Sequence, residues 1–299
     1  MEHNAVIGFL GLGAMGAPMV RRLAAQGHHL RVFDTSEGRR EAVVQPQVEA
    51  VSTAAEAADG VGVLAVMVAT PAQLEEALFG PDGAAARLST GSTVIVLATV
   101  GPDAVRAVAP RLADRGVALL DAPVSGGVAR AGKGDLVIMV GGEPGELRPL
   151  LEDLGSEIAV CGTGIGDGQT MKVVNQLVCG VHIAVTAEAL SFAAALGVPP
   201  EQAHRVLSQG AAQSFMFVDR GSRMIEDVRA AEVGSALDIF VKDMGLVVDS
   251  GNQVGAPLPL AAAANDLFKM GRGLGLGRLD DAAVVEVYRS WAPARAAGQ

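Results

Sequence analysis

The chain has 299 residues, of which half are apolar, 19% are charged and 38 are glycine. This composition excludes a disordered protein and fits a compact α/β protein of about two domains. The net charge of −10, without a cluster of Lys and Arg, argues against nucleic-acid binding. Two cysteines, Cys161 and Cys179, stand in apolar surroundings without metal-ligand spacing, which predicts two free thiols and no metal site.

The first residues, MEHNAVIGFLGLG, lack the basic segment, apolar segment and cleavage site of a signal peptide. The strand-like apolar runs, such as VGVLAVMVA, fall far short of the ~20 residues that span a bilayer. We therefore expect a cytoplasmic protein that does not enter a membrane.

The first half of the chain alternates between strand-like and helix-like segments. The predicted strands are Val6–Leu10, Leu30–Phe33, Val61–Val68, Thr93–Ala98, Val117–Leu120 and Leu136–Val140. The predicted helices between them include Ala14–Gln26, Ala72–Leu78 and Pro102–Arg115. The uninterrupted apolar character of the strands predicts a mostly parallel sheet that is buried between helices on both faces. The alternation of strands and helices predicts a Rossmann-type doubly wound α/β domain.

The pattern changes at the glycine-rich GTGIGDGQ, which begins at residue 162. Helical patterns follow at 168–196, 200–208, 236–254, 259–270 and 281–291. The last helix has a predicted N-cap at Asp280–Asp281, and a glycine-dense segment at 271–277 is predicted to be a loop. We predict a dinucleotide-binding domain over 1–165 and an all-α domain for substrate and oligomerisation over 166–299. Helices as apolar as 173–196 need a core or a subunit interface, which predicts at least a dimer.

A phosphate-binding turn is predicted where the first strand meets the first helix. Its residues are Gly11, Leu12, Gly13, Ala14, Met15 and Gly16. The glycines permit a tight turn, close backbone approach to a pyrophosphate, and close helix–strand packing, and the helix N-terminus favours the phosphates. Asp34 follows 18 residues after Gly16. Because a carboxylate there binds a ribose diol and no arginine immediately follows, we expect NAD rather than NADP.

Other strand ends should face the same crevice, because ligands bind outside the carboxyl ends of strands in such sheets. They contribute Val68, Ala69, Thr70, Thr99, Ser125, Gly126 and Gly127. Ser125 offers a hydroxyl, and the two glycines that follow offer backbone N–H groups that suit a carboxylate. An ordinary glycine loop is the alternative.

Lys172 stands in TMKVVNQLVCGVHIAV, a long apolar stretch in which charge is otherwise rare. On a helix, Asn175 and Gln176 fall on the same face as Lys172. A catalytic lysine accounts for the pattern, and a lysine that extends its head to water is the alternative. Lys242 is a second candidate, for which a surface ion pair with Asp238 is the alternative.

Four motifs occur along the chain in this order: GLGAMGAPM, DAPVSGG, GTGIGDGQTMKVVNQ and FVKDMGL. Their order and spacing are those of the 3-hydroxyacid (β-hydroxyacid) dehydrogenases, a family that the chain resembles over almost its whole length. The second half, with QLVCGVHIAVTAEAL and PLPLAAAANDLF, looks like the L-threonate dehydrogenase branch. The resemblance implies that Lys172 is the catalytic acid/base and Asn175 its helper amide. It further implies that Ser125–Gly127 bind the substrate carboxylate, and that Lys242 closes over cofactor or substrate.

Two departures from the family pattern bear on substrate choice. Many members carry Ser-Thr where this chain has Ala98-Thr99, and Asn-Asn where it has Asn175-Gln176. We expect NAD-dependent oxidation of a small hydroxyacid, such as a four-carbon sugar acid, by a homodimer or homotetramer joined through its C-terminal helices. One alternative is a related enzyme that acts on tartronate semialdehyde or 3-hydroxyisobutyrate. A second is an imine reductase, against which Lys172 argues, and a third is a non-catalytic NAD-binding protein.

Overall fold

The computed structural model describes residues 5–291 of the chain. The chain divides into two compact units, Met1–Lys172 and Val173–Gln299. The strands of the first unit are β1 (Ile7–Leu10), β2 (Leu30–Phe33), β3 (Val48–Ala50), β4 (Val63–Val66), β5 (Thr93–Val96), β6 (Ala118–Asp121), β7 (Val124–Ser125), β8 (Leu136–Gly141) and β9 (Gly155–Gly162). Its helices are α1 (Gly16–Ala25), α2 (Glu37–Glu41), α3 (Ala54–Ala58), α4 (Pro71–Phe79), α5 (Pro102–Ala113), α6 (Gly127–Lys133) and α7 (Arg148–Glu152). The predicted domain boundary at residue 165 stays a prediction.

The strands form one sheet in the order β3-β2-β1-β4-β5-β6-β8-β7, and β9 pairs with β8. From β3 to β6 all neighbours run parallel. Beyond them, β8 is antiparallel to β6 and β7 and parallel to β9. The order reverses between β1 and β4, as in doubly wound dinucleotide-binding sheets. The predicted α/β fold is confirmed.

The central strands are buried on both faces, since successive side chains point to opposite sides of the sheet. Phe9 and Ile95 belong to the hydrophobic core on one face, and Leu64 and Val94 to the core on the other. The sequence prediction missed β3, β7 and β9. Six of the eight residues of β9 are glycine, serine, glutamate, alanine or cysteine, and much of the strand is exposed, so it lacks a continuous apolar run.

The second unit is all helical within the described residues, as predicted. Its helices are the greater part of α8 (Asp167–Ala195), which begins in the first unit, then α9 (Pro200–Leu207), α10 (Phe215–Ile225), α11 (Leu237–Val254), α12 (Pro259–Gly273) and α13 (Val285–Trp291). α11 and α12 pack together, with the rings of Phe240 and Phe268 stacked at 5.3 Å. Arg220 of α10 binds the fully buried Asp281 through two hydrogen bonds.

Three details of the helical unit differ from the prediction. α10 was not predicted. The predicted loop at 271–277 is wrong for its first residues, because α12 continues to Gly273. Gly271 is buried, and a side chain there would meet Leu237 at 3.0 Å. The helix predicted over 281–291 begins as a 3₁₀ turn over Asp281–Val284, for which Asp280 is the N-cap.

Candidate active site

The predicted site residues of the first unit lie along one edge of its sheet. β2, β1, β4, β5 and β6 are successive parallel neighbours. The segments after their carboxyl ends therefore share that edge. These segments carry Gly11–Gly16, Asp34, Val68–Thr70, Thr99 and Ser125–Gly127.

The turn between β1 and α1 has three glycines with different requirements. Gly11 has φ of 93°, and a Cβ there would collide with the Met67 carbonyl. A Cβ on Gly16 would collide with the Gly11 carbonyl. At Gly13, by contrast, a Cβ would meet no protein atom within 4 Å. Packing within the protein therefore does not require glycine at position 13, but a ligand that approaches the backbone there would. The turn thus fits a dinucleotide pyrophosphate.

Asp34 follows β2 and is only 8% exposed. Its carboxylate accepts hydrogen bonds from the Leu12 N–H at 2.8 Å and the Ser36 N–H at 2.9 Å. These bonds connect the glycine turn to the end of β2. The sequence shows no arginine directly after Asp34, yet α2 brings the guanidinium of Arg39 to 3.6 Å from the Asp34 carboxylate. Arg40 donates a hydrogen bond to the Asp34 backbone carbonyl at 2.7 Å.

Thr70 and Ala69 have an evident structural role at the start of α4. The Thr70 hydroxyl accepts the Gln73 N–H at 3.1 Å, and the Gln73 side chain accepts the Ala69 N–H at 2.8 Å. This pair is a variant of the capping box, because the Gln73 side chain binds the N–H of the residue before the N-cap, and it holds the end of β4 against α4. The Ala69 N–H and the Thr70 hydroxyl are thus already engaged within the protein.

Gln169, which the sequence prediction missed, fastens α8 to the segment after β5. Its side-chain oxygen accepts the N–H groups of Val100 and Gly101, each at 3.0 Å. Its amide nitrogen donates to the Ala98 carbonyl at 2.9 Å. Gln169 is fully buried. The loop that contains Thr99 is therefore held by the helix that carries Lys172.

Asp121 makes a second connection between the sheet and the start of α8. One carboxylate oxygen of this fully buried residue accepts the N–H groups of Gly166 and Gln169 at 2.9 and 3.0 Å. Burial raises the pKa of the Asp121 carboxyl, and these hydrogen bonds oppose the rise. Asp121 ends β6, and the predicted carboxylate loop follows it four residues later.

The Ser125–Gly127 loop runs from β7 into α6. Gly126 and Gly127 both have positive φ, 141° and 77°, a conformation that glycine adopts without steric cost. Lys172 lies one helical turn after Gln169 on α8 and is only 5% exposed. The alternative in which this lysine extends to water is therefore wrong.

In the second unit, Asp243 joins three predicted residues. Asn175 donates to the Gln176 side chain at 2.8 Å, and Gln176 in turn donates to Asp243. The Lys242 ammonium lies 2.7 Å from the Asp243 carboxylate. Asp238, the other predicted partner of Lys242, pairs with Arg272 at 2.6 Å, and its pairing with Lys242 stays a prediction. Asp243 is 2% exposed, and the sequence analysis did not select it as a candidate site residue.

The doubly wound sheet, the glycine turn and the buried acid at the end of β2 define a dinucleotide-binding oxidoreductase. Two family descriptions match the chain. The NAD binding domain of 6-phosphogluconate dehydrogenase matches residues 6–163, and the NAD-binding domain of NADP-dependent 3-hydroxyisobutyrate dehydrogenase matches residues 166–288. The chain belongs to the 3-hydroxyacid dehydrogenase family, as the sequence predicts.

Known relatives resemble the chain over nearly its full length. An L-threonate dehydrogenase of Cupriavidus necator is 38% identical over 96% of this chain and 97% of the relative. A 2-hydroxy-3-oxopropionate reductase of Escherichia coli is 35% identical over 94% and 96%. A 3-hydroxyisobutyrate dehydrogenase structure from Salmonella typhimurium has a TM-score of 0.88 at 33% identity, covering 95% of this chain and all of that one. The protein is a hydroxyacid oxidoreductase that uses a nicotinamide cofactor.

Proposed function

We propose that this enzyme oxidises a four-carbon sugar acid such as L-threonate, with NAD as the acceptor and Lys172 as the general acid/base. The observation that carries the proposal is a buried lysine on a helix that Gln169 fastens to the dinucleotide edge of the sheet. The names of several relatives supply the substrate, since those of 33–38% identity include five L-threonate dehydrogenases.

In the proposed reaction, Ser125–Gly127 bind the substrate carboxylate through a hydroxyl and backbone N–H groups. The turn Gly11–Gly16 and Asp34 would hold the nicotinamide cofactor, which would supply the acceptor for the hydride that leaves the carbinol carbon. Lys172 as a neutral amine takes the hydroxyl proton while the carbonyl forms, and as an ammonium it returns that proton in the reverse direction. Asn175, three residues further along α8, orients the reacting hydroxyl or the lysine. The closure implied for Lys242 and the substrate binding expected of Gln176 stay predictions.

A panel of acids tests the substrate. NADH formation is to be measured with L-threonate, D-erythronate, D-glycerate and 3-hydroxyisobutyrate, each with NAD and with NADP. We expect the highest kcat/KM with L-threonate and NAD. A clear preference for D-glycerate or 3-hydroxyisobutyrate would contradict the assignment. Loss of NADH formation with every acid, in protein that binds NADH, would favour the non-catalytic alternative.

We also propose that the protein is a homodimer or homotetramer joined through α8. Five large apolar side chains of this helix are 44–66% exposed in the single chain: Val174, Val178, Val185, Phe192 and Leu196. Their spacing of four and seven residues places them along one face, here named the α8 stripe. A stripe of this length can pack against the α8 stripe of a second chain that is related by a two-fold axis.

By length and mean hydropathy alone, α8 would also qualify as a membrane span, but core helices of soluble proteins reach the same values. The α8 stripe therefore needs a direct test. The double variant Val185→Asp with Phe192→Asp should dissociate the oligomer and so lower the molar mass in solution, because association would bury the two introduced carboxylates in the interface. Light scattering after size exclusion measures this. Val254→Asp, which alters a 78% exposed valine outside the stripe, is the control. A monomeric parent chain or an unchanged mass would refute the proposal.

A further inference from the structure

The adenosine end of the cofactor site contains a cation that the sequence alone did not assign. Asp34 is expected to bind the ribose diol, and its two carboxylate oxygens already accept the Leu12 and Ser36 N–H groups. The Arg39 guanidinium lies 3.6 Å from one of these oxygens. A 2′-phosphate would replace the hydroxyl that Asp34 is expected to bind, so it would stand next to Asp34 and within reach of Arg39.

The pair between Arg39 and Asp34 is easily broken. The Arg39 side chain is 58% exposed, and exposed ion pairs at such distances contribute little to stability. Arg40, in contrast, is anchored, because it donates to the Asp34 carbonyl and its guanidinium stands 5.8 Å from the centre of the Phe33 ring. Arg39 is therefore the arginine that can turn towards a ligand, and a guanidinium is well suited to phosphate.

We propose that Arg39 is a specificity-determining residue of the cofactor site, which offsets the charge of Asp34 and binds a 2′-phosphate, so that the site accepts NADPH as well as NADH. This inference deepens the proposed function, in which NAD is the preferred acceptor. Asp34 supplies the preference for NADH, and Arg39 limits it. The enzyme should then bind both cofactors, with NADPH the weaker of the two.

Binding measurements separate this role from catalysis. NADH and NADPH are titrated by fluorescence, and 5′-AMP and 2′,5′-ADP by calorimetry, against the parent and Arg39→Gln. We expect the variant to bind NADPH and 2′,5′-ADP about tenfold or more weakly, since a charge-assisted contact is lost. Its affinity for NADH and 5′-AMP should stay within about twofold, because neither ligand carries the 2′-phosphate that Arg39 is proposed to bind and the exposed pair with Asp34 contributes little. Arg87→Gln, at an exposed arginine of the same unit, makes the same charge change as a control.

Three results would overturn the proposal. An equal loss of NADH and NADPH affinity would mean that Arg39 contacts the part common to both cofactors. Unchanged NADPH affinity in Arg39→Gln would remove the residue from the site. Failure of the parent to bind NADPH at a concentration about a hundredfold above the Kd for NADH would mean that Asp34 alone decides. Failure to bind NADH at all would instead contradict the proposed function, so the two outcomes are distinguishable.

Discussion

Replacing Lys172 by alanine is expected to lower kcat by about 10²–10⁴-fold, the usual contribution of a positioned acid/base. Oxidation of the alcohol releases a proton as the hydride leaves, and without the amine that proton has no acceptor at the buried position. NADH affinity, measured by fluorescence, should stay unchanged. Lys172→Met, which keeps the length of the side chain without its charge, should lose activity to the same degree, because the loss lies in chemistry and not in packing.

Chemical rescue gives this prediction a second readout. A small primary amine added to Lys172→Ala should restore part of kcat, and the restored rate should rise with pH as the added amine becomes neutral. It should not restore activity to Lys172→Met, which leaves no space for it. Lys269→Met, at a 55% exposed lysine, is the matched control and should retain parental rates. Turnover near the parental value in Lys172→Ala would end the assignment.

Replacing Gln169 by leucine should destabilise the first unit by about 3 kcal/mol or more, since it leaves two buried N–H groups and one carbonyl without partners. The midpoint of urea unfolding measures this. Activity should fall as well, because the loop that contains Thr99 is no longer held to the helix that carries Lys172. Gln26→Leu, at an exposed glutamine of the same unit, is the control and should change stability little.

A glutamate at position 169 tests the same contacts by pH. Gln169→Glu keeps an acceptor for the Val100 and Gly101 N–H groups but turns a carboxylate oxygen towards the Ala98 carbonyl. The protonated acid can donate to that carbonyl, so the folded state should raise the pKa of the introduced group. Relative to the parent, the variant should therefore be most stable below the unfolded pKa, about 4.3, and should lose stability as the pH rises through the folded value. An equal difference at pH 4 and pH 8 would contradict this view of Gln169.

The features that the sequence predicted well are local ones. The turn from Gly11 to Gly16 lies within six consecutive residues between a strand and a helix, and Asp34 falls at the end of the next strand. The mostly parallel sheet followed from alternating β and α segments, because parallel strands need helical crossovers. Lys172 could be selected because a cation in an apolar helix is costly unless it has a use.

The features that were missed depend on contacts between distant parts of the chain. The hydrogen-bond partners of Gln169 lie about 70 residues away in the sequence, after β5, and the sequence around Gln169 does not indicate them. Asp243 lies 67 residues from Gln176, and nothing in the sequence around Asp243 indicates this partner. Arg39 was overlooked for another reason, since only the short helix α2 turns it back onto Asp34.

The attachments of Gln169 and Asp121 also limit how this unit can deform. Three strand-end groups at Ala98–Gly101 and the carboxylate that ends β6 are bonded to the first turn of α8. This assembly should respond to a ligand as a single rigid block, so the spacing between the Thr99 loop and Lys172 is fixed before substrate arrives. Any hinge that admits substrate or releases product must then lie outside this block.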